Sequence, residues 1–461
     1  MVFSSLPFLF FYLVIVLAVY KLSPLKLRNL VLLAVSLFFY GWGEPVYILI
    51  MLLSIAVDYT HGLLVERWRE RDAWARGAVA SSVFFNLAIL FFFKYWDFFA
   101  SNVNALTGLS LPVLGLPLPI GISFYTFQTM SYTIDVYRRA APAQRNAVTF
   151  GAYVTLFPHL IAGPIVQYKT VAAQLTEREE TLEKFVSGVL RFSAGLGKKV
   201  LLANAIGPLW DRSLADGELT LAGAWLGLAA YAFQIYFDFS GYSDMAIGLG
   251  RMLGFQFLEN FNYPYMARSV VEFWRRWHIS LTTWFREYVY FPLGGSRVSR
   301  GRWVMNILAV WLCTGIWHGA GWNFLLWGLY YALWMLAERL FLGKWLERLP
   351  AVLRHGYAMA VVLVGWVLFA VEDMGRLGAY FRALFGGAGL YRAADGYYLR
   401  TYLPLLVLLA VGTTPLAGRC WERLGERRRS ILAPALVLGA LALCTASLVD
   451  ASYNPFLYFR F

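Results

Sequence analysis

Among the five histidines of the chain, His318 has the least ordinary surroundings. It sits in Cys313-Thr-Gly-Ile-Trp-His-Gly-Ala-Gly-Trp-Asn-Phe324, where an apolar run from Trp303 to Trp317 should be crossing a membrane. Imidazole is the side chain that can take and return a proton near neutral pH without an extreme shift in pKa. Solubility does not explain such a group inside an apolar span, so proton handling outweighs the alternative of a satisfied core histidine. Gly315 and Gly319 stand at a spacing that lets helices approach closely, and Trp311, His318 and Trp322 fall within one broad helical arc.

Three further stretches carry groups of the same kind. In Glu272 to Gly295, Phe273, Trp277, Leu281, Trp284 and Tyr288 form an apolar stripe at 100° per residue, with Arg275, Arg276, Ser280, Thr283, Arg286 and Glu287 opposite. This pattern predicts a helix lying in the membrane interface, with His278 at the boundary of its faces near Trp274. A passenger histidine in an aromatic belt is the bland alternative. Phe157-Pro-His-Leu-Ile-Ala-Gly-Pro-Ile165 surrounds His159 with helix breakers, which predicts broken backbone at depth and a histidine that caps a freed end. Gln234 and Asp238 stand four apart in Tyr231 to Asp244; either Asp238 or Asp244 could orient a histidine or bind an ion, although such residues more often hold helices together.

These residues need elements to position them, and composition says what those are. Of 461 residues 59% are hydrophobic and 15% charged, and apolar stretches recur along nearly the whole chain, which predicts an all-α polytopic membrane protein of roughly ten to twelve spans with no sizeable soluble domain. The first segment, Phe8 to Tyr20, reads as a retained helix, since it lacks a basic flank and a small-residue cleavage site. A net charge of +13 reflects basic residues collected in short loops, so nucleic acid is not implied. The loops at Arg67 to Arg76 and Arg419 to Arg429 should be cytoplasmic, leaving both termini outside. Cys313, Cys420 and Cys444 have no metal-ligand spacing, and no metal site is expected. The motifs of serine hydrolases, zinc proteases, Walker nucleotidases and dinucleotide-binding folds are absent.

Taken in order, Pro158-His159 with Gly163-Pro164, Gln234-Ile-Tyr-Phe-Asp-Phe-Ser-Gly-Tyr-Ser-Asp244, Phe273-Trp-Arg-Arg-Trp-His278 running on to Tyr288-Val-Tyr-Phe-Pro-Leu-Gly-Gly295, and Trp317-His-Gly-Ala-Gly-Trp-Asn323 resemble the membrane-bound O-acyltransferases. The similarity is to the bacterial branch that includes the alginate O-acetyltransferase membrane subunit, and the closing Asn454 to Phe461 fits that branch. The resemblance implies one domain over 1–461, with a motif-bearing core of about 115–342 and further helices over about 353–461. It also implies a ring of transmembrane, re-entrant and interfacial helices around a central cavity.

On that resemblance His318 is the catalytic residue and His278 its upstream partner, 40 positions away. Transfer of an acyl group from a thioester to a hydroxyl needs a base for the hydroxyl proton and donors for the developing oxyanion. His318 would be that base or, alternatively, a nucleophile; His278 would bind the carbonyl oxygen or fix the acceptor. Trp317, Trp322, Asn323, Tyr242, Gln234, Asp238, Trp274, Arg275, Arg276 and His159 are candidate cavity residues. The expected donor is acetyl-CoA, used as a substrate with no bound cofactor, arriving where Arg275, Arg276, Arg297, Arg300 and Arg302 cluster. The expected setting is the bacterial inner membrane, with a periplasmic acetyltransferase and polysaccharide synthesis machinery as partners. Three alternatives remain open: D-alanyl transfer from a carrier protein, acylation of a lipid or protein, and a transporter or polysaccharide exporter using the same intramembrane polar groups as a relay.

Overall fold

Apolar residues at helical spacing dictate the architecture: in the computed structural model of the protein no strand occurs among the described residues, which are 1–450 with Phe456 and Leu457. Apart from those two, the closing motif at 454–461 lies outside the described residues. Six helices there are long and apolar enough to cross a membrane, among them Ile48–Arg67, Asp72–Thr107, Ala351–Ala370 and Glu426–Asp450. A seventh candidate is the pair Ala393–Gly412 and Leu416–Arg423, bent by 64°. This is fewer than the ten to twelve spans expected, because several other helices are too short or too polar to qualify by themselves.

The chain forms two compact units, one of residues 1–192 with 242–258 and one of residues 193–241 with 259–461. In the first, α1 (Arg28–Gly43), α2 (Ile48–Arg67), α3 (Asp72–Leu90) and α4 (Ile122–Tyr137) are followed by the short α5 (Ala147–Thr155) and the four-residue α6 (Phe157–Leu160). Polar side chains hold α2, α3 and α4 together: buried Asp58 accepts from Ser82 Oγ and from Asn86 Nδ2, the latter at 2.8 Å, and Ser82 meets Thr133 at 3.1 Å. Lipid offers no such partners, which is why polar contacts between membrane helices are made within the protein. The backbone is broken around Pro158, as its sequence requires, and the freed Phe157 N–H is taken by Ser36 Oγ at 3.1 Å.

The second unit contains α7 (Asn204–Ala215), the part of α8 (Leu221–Met252) through Gly241, α9 (Val270–Arg276), α10 (Ile279–Phe285), α11 (Arg300–His318), α12 (Trp322–Ala337), α13 (Ala351–Ala370), α14 (Met374–Leu384) and α15 (Ala393–Gly412). The continuous amphipathic helix expected across His278 is not formed. Trp277 is extended and His278 adopts the left-handed conformation, φ 44° and ψ 54°, so the helix ends at Arg276 and restarts at Ile279. For a residue with a Cβ this conformation costs roughly 1–2 kcal/mol, which the surroundings must offset.

They do so through the stretch at 260–262, whose Asn262 N–H bonds Arg276 O at 2.9 Å and whose Asn260 O accepts from Ile279 N–H at 3.0 Å. The small residues of α11 act as their spacing suggests. A Cβ on Gly315 would lie 2.4 Å from Phe324 O, and one on Gly328 would lie 2.5 Å from Trp311 O, so the α11–α12 hairpin is closer than any larger side chain permits. Replacing Gly328 by Val should therefore force these helices apart at a cost of about 1–3 kcal/mol. A thermal midpoint in detergent several degrees below that of the unmodified protein is the expected result.

Candidate active site

His318 is the last residue of α11 and His278 occupies the break between α9 and α10; both are buried, at 4% and 1% exposed. Trp317 joins them, with ring centroids 4.9 Å from His318 and 6.1 Å from His278. Around His318 stand Trp327 at 4.9 Å and Phe369 at 5.1 Å, and Trp327 in turn packs on Trp274 at 5.5 Å. The two histidines, separated by 40 positions, therefore share one aromatic shell.

The state of His278 follows from its neighbours. Asn260 Oδ1 accepts from Ser280 N at 3.1 Å and from Ser280 Oγ at 2.9 Å, which identifies that atom as the amide oxygen. The same oxygen lies 3.2 Å from His278 Nδ1. An oxygen can only accept there, so neutral His278 carries its proton on Nδ1, and Nε2 holds the basic lone pair. Neither Asn260 nor Ser280 was identified as a site residue from the sequence. Ser280 lies two residues from His278, but nothing in composition or spacing links a loop asparagine 18 positions upstream to that ring.

Beside His278 opens a cavity of about 170 Å³ lined by Trp274, Leu281, Phe285, Trp311, Met335 and Arg339, among others. Its walls are mostly apolar. A second, more open basin of about 640 Å³ presents Arg268, Arg276, Arg339, Arg354 and Arg419. Three glutamates share that basin, of which Glu272 is bonded by Arg276 Nη2 at 2.7 Å and Glu338 by the N–H groups of Val270 and Val271 at 2.6 and 3.0 Å. The balance is positive. Arg339 lines both spaces, so an anion held in the basin lies at the threshold of the histidine cavity. Of the arginines expected to gather, Arg276 is in this basin; Arg275 is exposed and, with Arg297, Arg300 and Arg302, does not line it.

The other candidates divide. Trp274 lines the cavity, but Trp322 is 53% exposed and does not. Asn323 is buried and its amide donates to Leu368 O and Phe369 O at 3.3 Å each, tying the start of α12 to the end of α13. Gln234 packs against Gly207 of α7, where a Cβ would lie 2.6 Å from its Nε2. Asp238 orients neither histidine: it pairs with buried Lys199 and accepts from Leu457 N–H at 2.9 Å. Tyr242, His159 and Asp244 belong to the first unit, where Tyr242 stacks on Phe3 at 4.7 Å, His159 Nδ1 accepts from Gln128 Nε2 at 2.8 Å and Asp244 pairs with Arg191 at 2.6 Å. Polar groups in those settings hold helices together.

The chain is 38% identical to a probable alginate O-acetylase of Azotobacter vinelandii over the whole of both chains. It is 42% identical to the corresponding Pseudomonas aeruginosa protein, over 84% of this chain and 75% of the relative. It is 33% identical to a peptidoglycan O-acetyltransferase of Helicobacter pylori, over 78% of this chain and 74% of that protein. The model of the membrane-bound O-acyltransferase family matches residues 37–371, a span that holds His278, His318, their aromatic shell and the cavity beside His278. With that match and those identities, the chain belongs to the membrane-bound O-acyltransferase family and is a multi-pass membrane acyltransferase.

Proposed function

We propose that the protein moves an acetyl group from a cytoplasmic thioester, acetyl-CoA, toward hydroxyl groups of an exported polysaccharide such as alginate, by way of a periplasmic acetyltransferase. The observation that carries this reading is the link from the arginine basin through Arg339 to the cavity of His278 and on, by Trp317, to His318. In this reading the phosphates of the donor rest on the basin arginines, because guanidinium groups bind phosphate through paired, charge-assisted hydrogen bonds. The thioester arm enters the apolar cavity, where water is excluded and hydrolysis is suppressed. The whole chain acts as one domain in the inner membrane, with the Arg67 to Arg76 and Arg419 to Arg429 loops in the cytoplasm and both termini outside.

The chemistry requires one base and one leaving group. His318 takes the proton of the attacking hydroxyl as its oxygen adds to the thioester carbonyl; collapse of the tetrahedral oxyanion breaks the carbon–sulfur bond, and the thiolate recovers the proton from the imidazolium. His278, with its proton directed to Asn260, offers Nε2 as an acceptor and so fixes the incoming hydroxyl rather than donating to the oxyanion. Trp317 keeps the two rings at a set separation.

Three outcomes test this. Replacing His318 by Ala should leave a folded, membrane-inserted protein whose transfer falls about 10²–10⁴-fold. Acetyl content of the polysaccharide, normalised to folded protein recovered in detergent, is the measurement; full acetylation would remove the mechanism. Replacing Arg339 by Ala should raise KM for acetyl-CoA about 10–100-fold, the loss of one or two charged hydrogen bonds, with partial recovery in Arg339→Lys. An unchanged KM, or activity from an acyl carrier protein alone, would contradict the donor assignment. Single cysteines placed in either arginine loop should resist an impermeant reagent in intact cells, and their labelling would reverse the orientation.

A further inference from the structure

Two consecutive residues of α8, Asp238 and Phe239, are almost fully buried, at 1% and 0% exposed. Neighbours on a helix point about 100° apart, so their side chains meet different surroundings. Phe239 meets the break between α9 and α10, where its ring centroid lies 4.7 Å from that of His278 with the rings at 88°. Asp238 meets the ammonium of buried Lys199. An ion pair is kept in an apolar interior when its remaining lone pairs are bonded as well. One of these is filled from far along the chain: Leu457 N–H donates to Asp238 Oδ2 at 2.9 Å, across 219 positions.

Phe456, the residue before that N–H, is 3% exposed, and its ring centroid lies 5.6 Å from that of Phe239 at 54°. Phe456 and Leu457 thus hold the two neighbours on α8 together, one through its ring and the other through its peptide. Phe239 in turn bears on His278. The bond from His278 Nδ1 to Asn260 Oδ1 at 3.2 Å fixes one corner of the imidazole and leaves the ring able to swing about that corner. Packing resists the swing, and the contacts with Phe239 and with Trp317, at 6.1 Å, contribute to it. Edge-to-face ring pairs prefer defined geometries, so a change in the tilt of Phe239 is passed to the imidazole.

We propose that Phe456 and Leu457 are positioning residues of the active site: the bond to Asp238 anchors them, Phe456 backs Phe239, and Phe239 holds the His278 ring with Nε2 presented to the incoming hydroxyl. The inference rests on the acyltransferase reading for the use made of Nε2 but not for the hold on the ring. Truncating Phe456 removes the support behind Phe239, whose ring then tilts and releases the imidazole. The hydroxyl is held less precisely, and misplacement of a reacting group lowers the rate of the chemical step. The arginine basin is untouched, so binding of the donor is unaffected.

The test reads the imidazole directly, in purified full-length protein carrying ring-15N histidine, with the His278 signals assigned by their loss in His278→Gln. Phe456→Ala should shift or broaden the His278 ring nitrogens while leaving those of His61 and His159 in place, and Phe456→Leu, which restores most of the volume, should recover part of the change. Leu457→Pro, which lacks the N–H that Asp238 accepts, should move the same signals. In parallel, kcat for acetyl transfer should fall about tenfold in Phe456→Ala with KM for acetyl-CoA unchanged. His278 signals that stay in place in both Phe456→Ala and Leu457→Pro would overturn the proposal. So would transfer that falls only in proportion to the folded protein recovered, which would make these residues a stability element alone. Unmodified protein that transfers no acetyl group would overturn the acyltransferase reading, whereas the nitrogen signals decide the hold on His278 in either case.

Discussion

A membrane interior supplies no water to complete a hydrogen bond, so each imidazole buried there takes its partner, and with it its protonation state, from the protein. For His278 that partner is Asn260 Oδ1, itself held by Ser280. The arrangement forces much else. Presenting Nδ1 to Asn260 accompanies a left-handed backbone at a residue that disfavours it, and the conformation persists because the strand-like stretch at 260–262 bonds the peptide groups on both sides of the break. A continuous helix through this segment would have carried the ring elsewhere.

The same economy governs the surroundings of His318. It ends α11, and the helix that follows can return close beside it because Gly315 and Gly328 remove the side chains that would hold the two apart. Trp327 and Phe369 then close over the ring from α12 and α13, and the Asn323 amide fastens those helices to each other. Close backbone approach, aromatic packing and the hydrogen bonds donated by Asn323 Nδ2 thus place a titratable group at a helix end with its neighbours fixed.

Charge in the second unit is divided between two places. Arginines gather where Arg339 adjoins the apolar cavity, with Arg354 from the start of α13, and a different set of charged residues surrounds a recess between α7 and α14, beyond the other end of that helix. α13 separates the two by about the thickness of a bilayer core. Asp58, Asp244 and His159 stand apart from this division, each consumed by helix packing in its own unit.

The residues themselves determined the helical membrane class, because apolar runs of spanning length leave no other structure that satisfies the backbone. They also singled out His318 and His278 as candidates for chemistry, and they marked the broken backbone at Pro158 and the close packing at Gly315. What they could not supply were contacts between positions distant in the chain. Periodicity is a local quantity: it continued the helix through His278, where pairing with the stretch at 260–262 interrupts it. It grouped Arg275 with Arg297, Arg300 and Arg302 by nearness in sequence, whereas the basin draws Arg268, Arg339, Arg354 and Arg419 together from four separate segments. The tautomer of His278 depends on an asparagine 18 positions away, and that distance is closed only when the chain has folded.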